Sequence, residues 1–265
     1  MKATSLEPRT MGMFNWIGFW TLYNREVMRF IKIYLQTILS PVVTILLYYV
    51  VFSVAFGVGR TIEGVPFLHF LAPGLIIMAM VQNAFMNTSS AMMISKYDGS
   101  IVDMLMPPLS SFELGFAKTL GGVTRGLFVG LAAWVTFVCL IGVQMHSIGY
   151  ILFHAFFGSM MLSTLGLIVG IWADKFDHTA MMTNFVVVPL TFLSGTFYSV
   201  TLLPSVMQTI VHLNPFFYMI DGFRYGFIGL ADGNLLVGIA VMLFVNLVLW
   251  FIAHWLLVIG YKIKS

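Results

Sequence analysis

Asp221 and Arg224 are the residues whose types and spacing most directly predict chemistry. They lie three positions apart in an apolar stretch that runs from Val186 to Gly229. Side chains at this spacing share a helix face, and in a low-dielectric setting each charge is costly without the other. We therefore expect an ion pair that holds local structure, together with Asn214 at the turn into Pro215. Direct contact with a substrate is the alternative.

Uncharged polar side chains inside apolar segments form a second candidate site. They are Gln82, Asn83, Asn87, Thr88, Ser89 and Ser90 in one segment, with Asn184 and Asn246 in two others. Such groups need partners in lipid, so they should face protein or a cavity. Two interpretations stay open. Gln82, Asn87 and Asn184 could line a substrate path, or the polar groups could only join helices by hydrogen bonds.

Catalytic and nucleotide-binding motifs are missing from the sequence. It has no HExxH, no GxSxG and no zinc-type spacing of Cys and His, and Gly115 to Thr119 has the wrong spacing for a GxxxxGK[ST] phosphate loop. Six apolar segments, bounded in the next paragraph, are predicted to span the membrane. The first, fourth, fifth and sixth lack charged residues in their central turns, so no relay for a driving ion is visible. We predict a chain that is no enzyme and binds no cofactor or metal. Energy for uphill transport would then enter from outside the membrane.

The composition places these residues in an all-α integral membrane protein. Sixty per cent of the residues are hydrophobic and 9% are charged, and the mean hydropathy is +0.97. A soluble domain of this composition would expose much of its apolar surface to water. Six segments are long enough to cross a bilayer. They are Leu35–Gly57, Phe67–Ile94, Gly122–Val143, Ile148–Trp172, Ala180–Tyr198 and Leu235–Lys262.

The stretch from Val186 to Gly229 is too long for one crossing. A span takes roughly 20 residues, and Pro204 and Pro215 interrupt this stretch. We predict that the fifth span ends near Tyr198. Residues 199–230 would then form short outer re-entrant helices, which dip toward the membrane without crossing it.

Residues 13–32 have the pattern of an interfacial helix. Met13, Trp16, Ile17, Trp20, Tyr23, Val27 and Ile31 share one face, and Asn15, Arg25, Glu26, Arg29 and Lys32 share the other. Tryptophan on the apolar face and basic residues on the polar face suit a helix that lies beside anionic lipid. The alternative is an amphipathic helix packed on its own protein.

Residues 95–113 form the most polar internal segment. It has a turn signal at Asp98-Gly99, an apolar run from Ile101 to Met106 and a Pro107-Pro108 stop. Ser110 or Ser111 can cap a helix that starts near Phe112. These signals predict a short crosswise helix whose apolar ridge docks on a soluble partner. A simple connector on the lipid head groups is the alternative.

The basic residues predict the orientation. An even number of spans puts both termini on one side of the membrane. That side holds Lys2, Arg9, Arg25, Arg29, Lys32, Lys96, Lys118, Arg125, Lys175, Lys262 and Lys264, and the other side holds only Arg60 and Arg224. By the positive-inside rule the termini are cytoplasmic. This distribution indicates a membrane partner and no nucleic acid.

Two runs of residues carry a family resemblance. The first is Asp98-Gly99-Ser100-Ile101 followed by Leu105, Pro108, Ser110, Ser111, Glu113, Gly115 and Lys118. The second is Pro189-Leu190, Leu193-Ser194-Gly195, Phe197-Tyr198, Leu203-Pro204, Leu213-Asn214-Pro215 and Asp221-Gly222-Phe223-Arg224-Tyr225. With these runs the chain resembles permease subunits of the ABC-2 exporter family over nearly its whole length, as a single domain of residues 1–265. It departs from many relatives at Val102, where they carry an acidic residue.

The resemblance implies a mechanism. Such permeases pair as homodimers and bind two cytoplasmic ATPase subunits, which hold ATP and Mg and push on the permease when they close. The implied coupling residues are Asp98, Gly99, Ile101, Asp103, Leu105, Pro108, Glu113, Arg25, Glu26 and Arg29. The implied outer gate holds Gly195, Tyr198, Pro204, Asn214, Pro215, Asp221, Arg224 and Tyr225.

The resemblance also implies a location and a range of substrates. Family members export drugs, lipids and glycans across the bacterial inner membrane. The apolar walls of this chain lean toward an amphipathic or lipid-like molecule. The alternative is a self-sufficient channel or facilitator, or an intramembrane lipid-modifying enzyme.

Overall fold

A computed structural model describes residues 14–56 and 59–263, which form a bundle of helices. The helices in chain order are α1 (Trp16–Ile31), α2 (Ser40–Phe56), α3 (Phe67–Tyr97), α4 (Ile101–Leu105), α5 (Ser111–Ile141), α6 (Ile148–Trp172), α7 (Phe176–Met182), α8 (Val188–Leu193), α9 (Ser205–His212), α10 (Pro215–Ile228) and α11 (Leu235–Ile259). Strands β1 (Thr61–Ile62) and β2 (Val65–Pro66) pair antiparallel. The residues Lys2, Arg9, Met13, Gly57 and Lys264, used in the predictions above, lie outside the described ranges.

Five helical segments of the described chain are long and apolar enough to cross a membrane. They are Leu35–Phe56, Phe67–Tyr97, Ser111–Ile141, Ile148–Trp172 and Leu235–Ile259. These segments correspond to five of the six predicted spans. The third begins at Ser111 rather than at Gly122, because Ser110 and Glu113 form a capping box that starts the helix earlier.

The predicted fifth span, Ala180–Tyr198, has different bounds. Its helical path starts at Phe176, passes through a π-helical turn and ends at Leu193, and it is not among the five long apolar segments. Gly195 follows with a left-handed φ of 80°, a conformation that glycine adopts without steric cost and that commonly ends helices. The predicted end near Tyr198 is therefore wrong.

Helix α3 is the centre of the bundle. It packs against α2, α5, α6 and α10, and Leu71, Leu75, Ile77 and Val81 have no exposed surface. A helix that is apolar on every side needs neighbours on every side. By contrast, the spans Leu35–Phe56 and Leu235–Ile259 bury only 17% of their most apolar windows. Their wide apolar faces suit contact with lipid.

Glycines allow α3, α5 and α6 to approach one another closely. A Cβ atom at Gly122 would collide with Ser163 and Thr88, and one at Gly166 would collide with the backbone of Phe85. These two glycines therefore serve the close packing of the helices.

The bundle has two chemically different ends. The one we call the basic end gathers the start of α1, α4 and the residues after α11; there Lys262 pairs with Asp174 at 2.5 Å. The one we call the capped end holds the two strands, residues 142–147 and residues 194–234. There the backbone N–H of His146 donates to the carbonyl of Gly226 at 2.9 Å.

Candidate transport site

A cavity of about 520 Å³ lies beside the central helix. Its walls come from the end of α1, the π-helical turn Leu35–Leu39 with α2, the middle of α3, one side chain of α5 and two of α8. This volume is within the range of roughly 300–1,000 Å³ typical of small-molecule sites. The cavity is therefore large enough to hold a small molecule.

Two of the three predicted path residues line this cavity. Gln82 and Asn87 belong to its wall, whereas Asn184 does not and is exposed elsewhere on the surface. Val188 and Phe192, which follow on the same helical path, do face the cavity. The π-helical turn Thr183–Val187, which contains Asn184, adds one residue to the path. The extra residue rotates the residues before it by about 100° relative to Val188 and Phe192. Asn184 therefore shares no cavity wall with Gln82 and Asn87, and its place on a substrate path stays a prediction.

Two arginines supply the charge of the cavity wall. Arg29 donates from Nη2 to the carbonyl oxygen of Asn87 at 2.8 Å and to its Oδ1 at 3.1 Å. Arg125 donates from Nη2 to Oδ1 of Asn83 at 2.9 Å. Because the two asparagines lie four residues apart on α3, they hold the two guanidinium groups one helical turn apart.

Glu26 lies in the interior, contrary to its predicted place on an exposed polar face. Its carboxylate is 2.7 Å from Lys118 Nζ and 3.1 Å from Arg29 Nη2, and Lys118 is only 1% exposed. Gly121 leaves the space that the Glu26 side chain occupies. Burial alone would raise the pKa of Glu26, but Lys118 and Arg29 lower it below its ordinary value. The carboxylate therefore stays charged and anchors α1 to α5.

The outer surface of α1 presents the tryptophans of the amphipathic pattern, and its position at the membrane surface stays a prediction. Trp16 and Trp20 are exposed, as is Arg25. Phe19 and Phe30 are buried against the bundle, on a packing face that the two-sided pattern did not reveal. Helix α1 thus packs on its own protein and also presents tryptophan outward. Of the three α1 residues proposed for coupling, only Arg25 remains freely accessible.

Helix α4 is a short helix at the predicted position between the second and third spans, at the basic end. Asp98 starts its turn by accepting the backbone N–H of Ser100 at 3.0 Å, and Gly99 takes a left-handed φ of 75°. Met104 is buried and fixes the helix to the bundle. The exposed residues around it include Asp98, Gly99, Val102, Asp103, Leu105, Met106, Pro107 and Pro108.

The predicted docking ridge of α4 needs one correction. Ile101 is partly buried against the core of the basic end, so it is not the centre of the ridge. Val102 is 58% exposed, Leu105 40% and Met106 76%. The exposed apolar ridge therefore runs through Val102, Leu105 and Met106, because burial of Met104 rotates Ile101 toward the bundle.

Glu113 is also unavailable for the predicted contact with an ATPase. It is 3% exposed, accepts the backbone N–H of Ser110 at 2.6 Å and accepts the backbone N–H of Asn15. One carboxylate thus caps α5 and holds the start of α1 beside it. This role is structural, and it joins α1 to the segment that follows α4.

Arg224 and Asp221 do not form the predicted ion pair. Among the described residues, the guanidinium of Arg224 donates to the carbonyl of Gly195 at 2.5 Å and lies 3.9 Å from the ring centre of Phe70. Asp221 instead accepts the backbone N–H groups of Asp232 at 2.7 Å and Gly233 at 3.0 Å. Main-chain groups stabilise each charge: a carbonyl for Arg224 and two N–H groups for Asp221. The two residues therefore fix different segments of the capped end.

Other predicted gate residues join the same network. Asn214 accepts the backbone N–H of Phe216 at 3.1 Å and donates to Ser194 Oγ at 2.8 Å, so it caps α10 and ties it to the end of α8. Tyr198 donates from its hydroxyl to the carbonyl of Leu193 at 2.8 Å. The remaining members are Pro204 just before α9, Pro215 as the first residue of α10, and Tyr225, which packs edge-on against Tyr150.

Four residues that matter in the structure were not proposed as site residues from the sequence. They are Phe70, Lys118, Arg125 and Asp232. Asp232 accepts Ser199 Oγ at 2.9 Å and the backbone N–H of Val200 at 2.7 Å. Its position directly before Gly233 and Asn234 is a turn signal that could have indicated a cap. Arg125 had a signal too, since it is a lone charge beside the glycines of an apolar segment.

The fold and the site define a multi-pass membrane permease, and comparison with known proteins gives the family. A family model described as ABC-2 type transporter matches residues 17–228. The chain belongs to the ABC-2 type transporter family. The family predicted from the two sequence runs is confirmed.

Named relatives align over most of the chain. It is 35% identical over 245 residues to Inner membrane transport permease YadH of Escherichia coli (strain K12), across 92% of this chain and 95% of that protein. It is 26% identical over 228 residues to Nodulation protein J of Rhizobium leguminosarum bv. trifolii, across 84% and 85% of the two chains. It is 23% identical over 233 residues to Nodulation protein J of Neorhizobium galegae, across 86% and 87%.

Proposed function

We propose that this chain is the transmembrane subunit of an ATP-driven exporter in the bacterial inner membrane. Two copies would form the translocation path, and two copies of a separate cytoplasmic ABC ATPase, which carries ATP and Mg, would drive it. The transported molecule would be amphipathic, in the class of lipids, drugs or glycans. The membership of the ABC-2 type transporter family supports a transport role.

The proposed topology has six spans, with both termini in the cytoplasm. The helical path Phe176–Leu193 would be the fifth span, and α9 and α10 would be re-entrant elements on the outer side. Basic residues support this orientation, because Lys96, Lys175 and Lys262 gather at one end of the bundle. In this arrangement α1 and α4 meet the ATPase, and the network of the capped end forms the outer gate.

The observation that carries the proposal is the surface of α4. A five-residue helix with one buried side chain presents Val102, Leu105 and Met106, flanked by the exposed carboxylates Asp98 and Asp103. An apolar ridge in a charged setting is typical of a surface that docks on a soluble protein. Glu113 and the pair of Glu26 with Lys118 then connect that surface to α1 and α5.

The test is copurification from native membranes in mild detergent, followed by identification of bound chains and an assay of ATP hydrolysis. The variant Leu105→Glu with Met106→Glu should lose a stoichiometric ATPase. The matched control is Leu213→Glu, because Leu213 is 82% exposed at the capped end. Equal retention in both variants would remove α4 from the interface, and a lone oligomer without ATPase would favour the channel or enzyme alternative.

A further inference from the structure

The cavity beside α3 carries positive charge that the described residues do not balance. Arg29 and Arg125 are the charged residues in its described wall. The nearest carboxylate network is that of Glu26, which is shared between Arg29 at 3.1 Å and Lys118 at 2.7 Å. One carboxylate thus serves two cations, and Arg125 has no carboxylate partner within the described part of the chain.

Arg125 has unused hydrogen-bonding capacity. Its Nη2 donates to Asn83, whereas its Nε is buried and has no acceptor in the described structure. A buried donor or charge without a partner is costly, so such groups commonly mark a place where a ligand completes the site. A guanidinium group offers a planar fork of donors that suits phosphate, sulfate or carboxylate oxygens.

The position of the two arginines favours an anion held partway along the bundle. Asn83 lies 14 residues before Tyr97, the last residue of α3, which corresponds to about 21 Å of helix. Arg29 contacts α3 one turn closer to that end. An anion that enters from the basic end would therefore meet Arg29 first and Arg125 next.

The rest of the cavity wall has a polar part, with Gln36, Thr44 and Gln82, and an apolar part. Phe30, Ile33, Ile45, Met78 and Phe192 are among the residues of the apolar part. Met86 also lines the cavity and is 45% exposed, so the cavity reaches the protein surface. Such a wall gives an apolar body a place beside a charged head group.

We propose that this cavity binds the anionic head group of an amphiphile, with Arg125 and Arg29 on the oxyanion and the apolar part of the wall on the attached chain. This inference rests on the proposed transport function and specifies its substrate class. The shared chemistry is an oxyanion, which could come from a lipid or from free phosphate. The apolar part of the wall favours the lipid, and the experiment below separates the two.

The test uses the purified permease in a neutral detergent, with thermal unfolding and native mass spectrometry as readouts. The probes are phosphatidic acid, diacylglycerol with the same acyl chains, and inorganic phosphate. Phosphatidic acid should bind and raise the unfolding temperature, and the neutral lipid should do neither. Arg125→Gln should weaken phosphatidic acid binding by about tenfold or more, the loss expected for a hydrogen bond to a charged group.

The control Lys175→Gln removes one exposed cation outside the cavity and should bind phosphatidic acid as the parent does. The Arg125→Gln protein should also unfold at a higher temperature than the parent without lipid, because a half-buried cation without a carboxylate partner is gone, together with its buried Nε donor. If that variant does not fold, Met86→Cys in a Cys139→Ser background keeps the test. Phosphatidic acid should then protect the new thiol from a thiol-reactive reagent, and diacylglycerol should not.

Three results would overturn the inference. These are equal binding of diacylglycerol, unchanged binding after Arg125→Gln with no protection of the thiol, and an equal effect of inorganic phosphate alone. None of these measurements requires an ATPase. A permease that copurifies with an ATPase but binds no anionic lipid would overturn this inference alone. A permease that binds anionic lipid but copurifies with no ATPase would overturn the exporter proposal alone.

Discussion

Replacing Arg224 by alanine should destabilise the protein strongly, and replacing Asp221 as well should add a nearly independent loss. Arg224 is 2% exposed, bonds to the carbonyl of Gly195 and lies 3.9 Å from the ring centre of Phe70. A hydrogen bond to a charged group contributes about 1.5–3 kcal/mol, and a desolvated cation–π contact contributes about 2 kcal/mol. Together they predict a loss of roughly 3–5 kcal/mol for Arg224→Ala.

Asp221 should behave as a separate unit. Its partners are the backbone N–H groups of Asp232 and Gly233, at 2.7 and 3.0 Å. Asp221→Ala leaves these half-buried donors without an acceptor, which costs at most roughly 1–3 kcal/mol for each. Because the two side chains use different partners, the coupling free energy between the two replacements should be below about 1 kcal/mol.

A double-mutant cycle checks this reasoning. The free energy of unfolding of detergent-solubilised protein would be measured by denaturant titration for the parent, both single variants and the double variant. A second cycle, Arg224→Ala with Phe70→Leu, should give a coupling of about 1–2 kcal/mol through the cation–π contact. A coupling above about 3 kcal/mol between Asp221 and Arg224 would refute the separate roles and restore a mutual ion pair.

Three further predictions concern the bundle and its ends. The pKa of Glu26 is lowered in the folded protein, so its stabilising charge is present above the ordinary carboxyl pKa and is lost as pH falls through the folded value. Glu26→Gln should therefore weaken the dependence of the unfolding temperature on pH below about pH 4.5. The same change should lower the unfolding temperature at pH 7, because it leaves Lys118 unpaired. Gly122→Leu should prevent folding, whereas Gly149→Leu should not, since a Cβ at Gly149 meets nothing within 4 Å; equal expression levels of the two variants in membranes would contradict the close packing. Asp232→Ala should cost about 2–4 kcal/mol in denaturant titrations because two buried donors lose their acceptor, and an unchanged midpoint would contradict that role.

The sequence was sufficient to predict most of the helices. Runs of apolar residues of bilayer length located five of the spans, and local signals located the helix starts at Ser111 and Pro215. Capping depends on residues a few positions apart, so a single sequence contains the information. The same holds for α4, whose turn at Asp98 and Gly99 is local.

The partners of charged residues could not be predicted in the same way. Glu26 has the helical spacing of an exposed residue, and its burial depends on Lys118 and Gly121, which are distant in sequence. Asp221 and Arg224 have the spacing of an ion pair, but main-chain groups of other segments compete for them. Such competition is decided by tertiary structure and not by spacing.

The register of the fifth helical path shows a different limit. Asn184, Val188 and Phe192 are four residues apart and would share a face of a regular α-helix. Asn184 lies within the π-helical turn Thr183–Val187, and of the three residues only Val188 and Phe192 reach the cavity. Hydrophobic periodicity assumes a constant number of residues per turn, so it does not detect such a shift.

The most direct test of the central claim is the mass of the intact complex. Native mass spectrometry of the gently purified assembly should show two copies of this 29.7 kDa chain with two copies of one ATPase chain, and ATP hydrolysis should be present. An assembly that contains this chain alone, without ATP hydrolysis after mild extraction from its own membranes, would contradict the claim that a separate ATPase drives it.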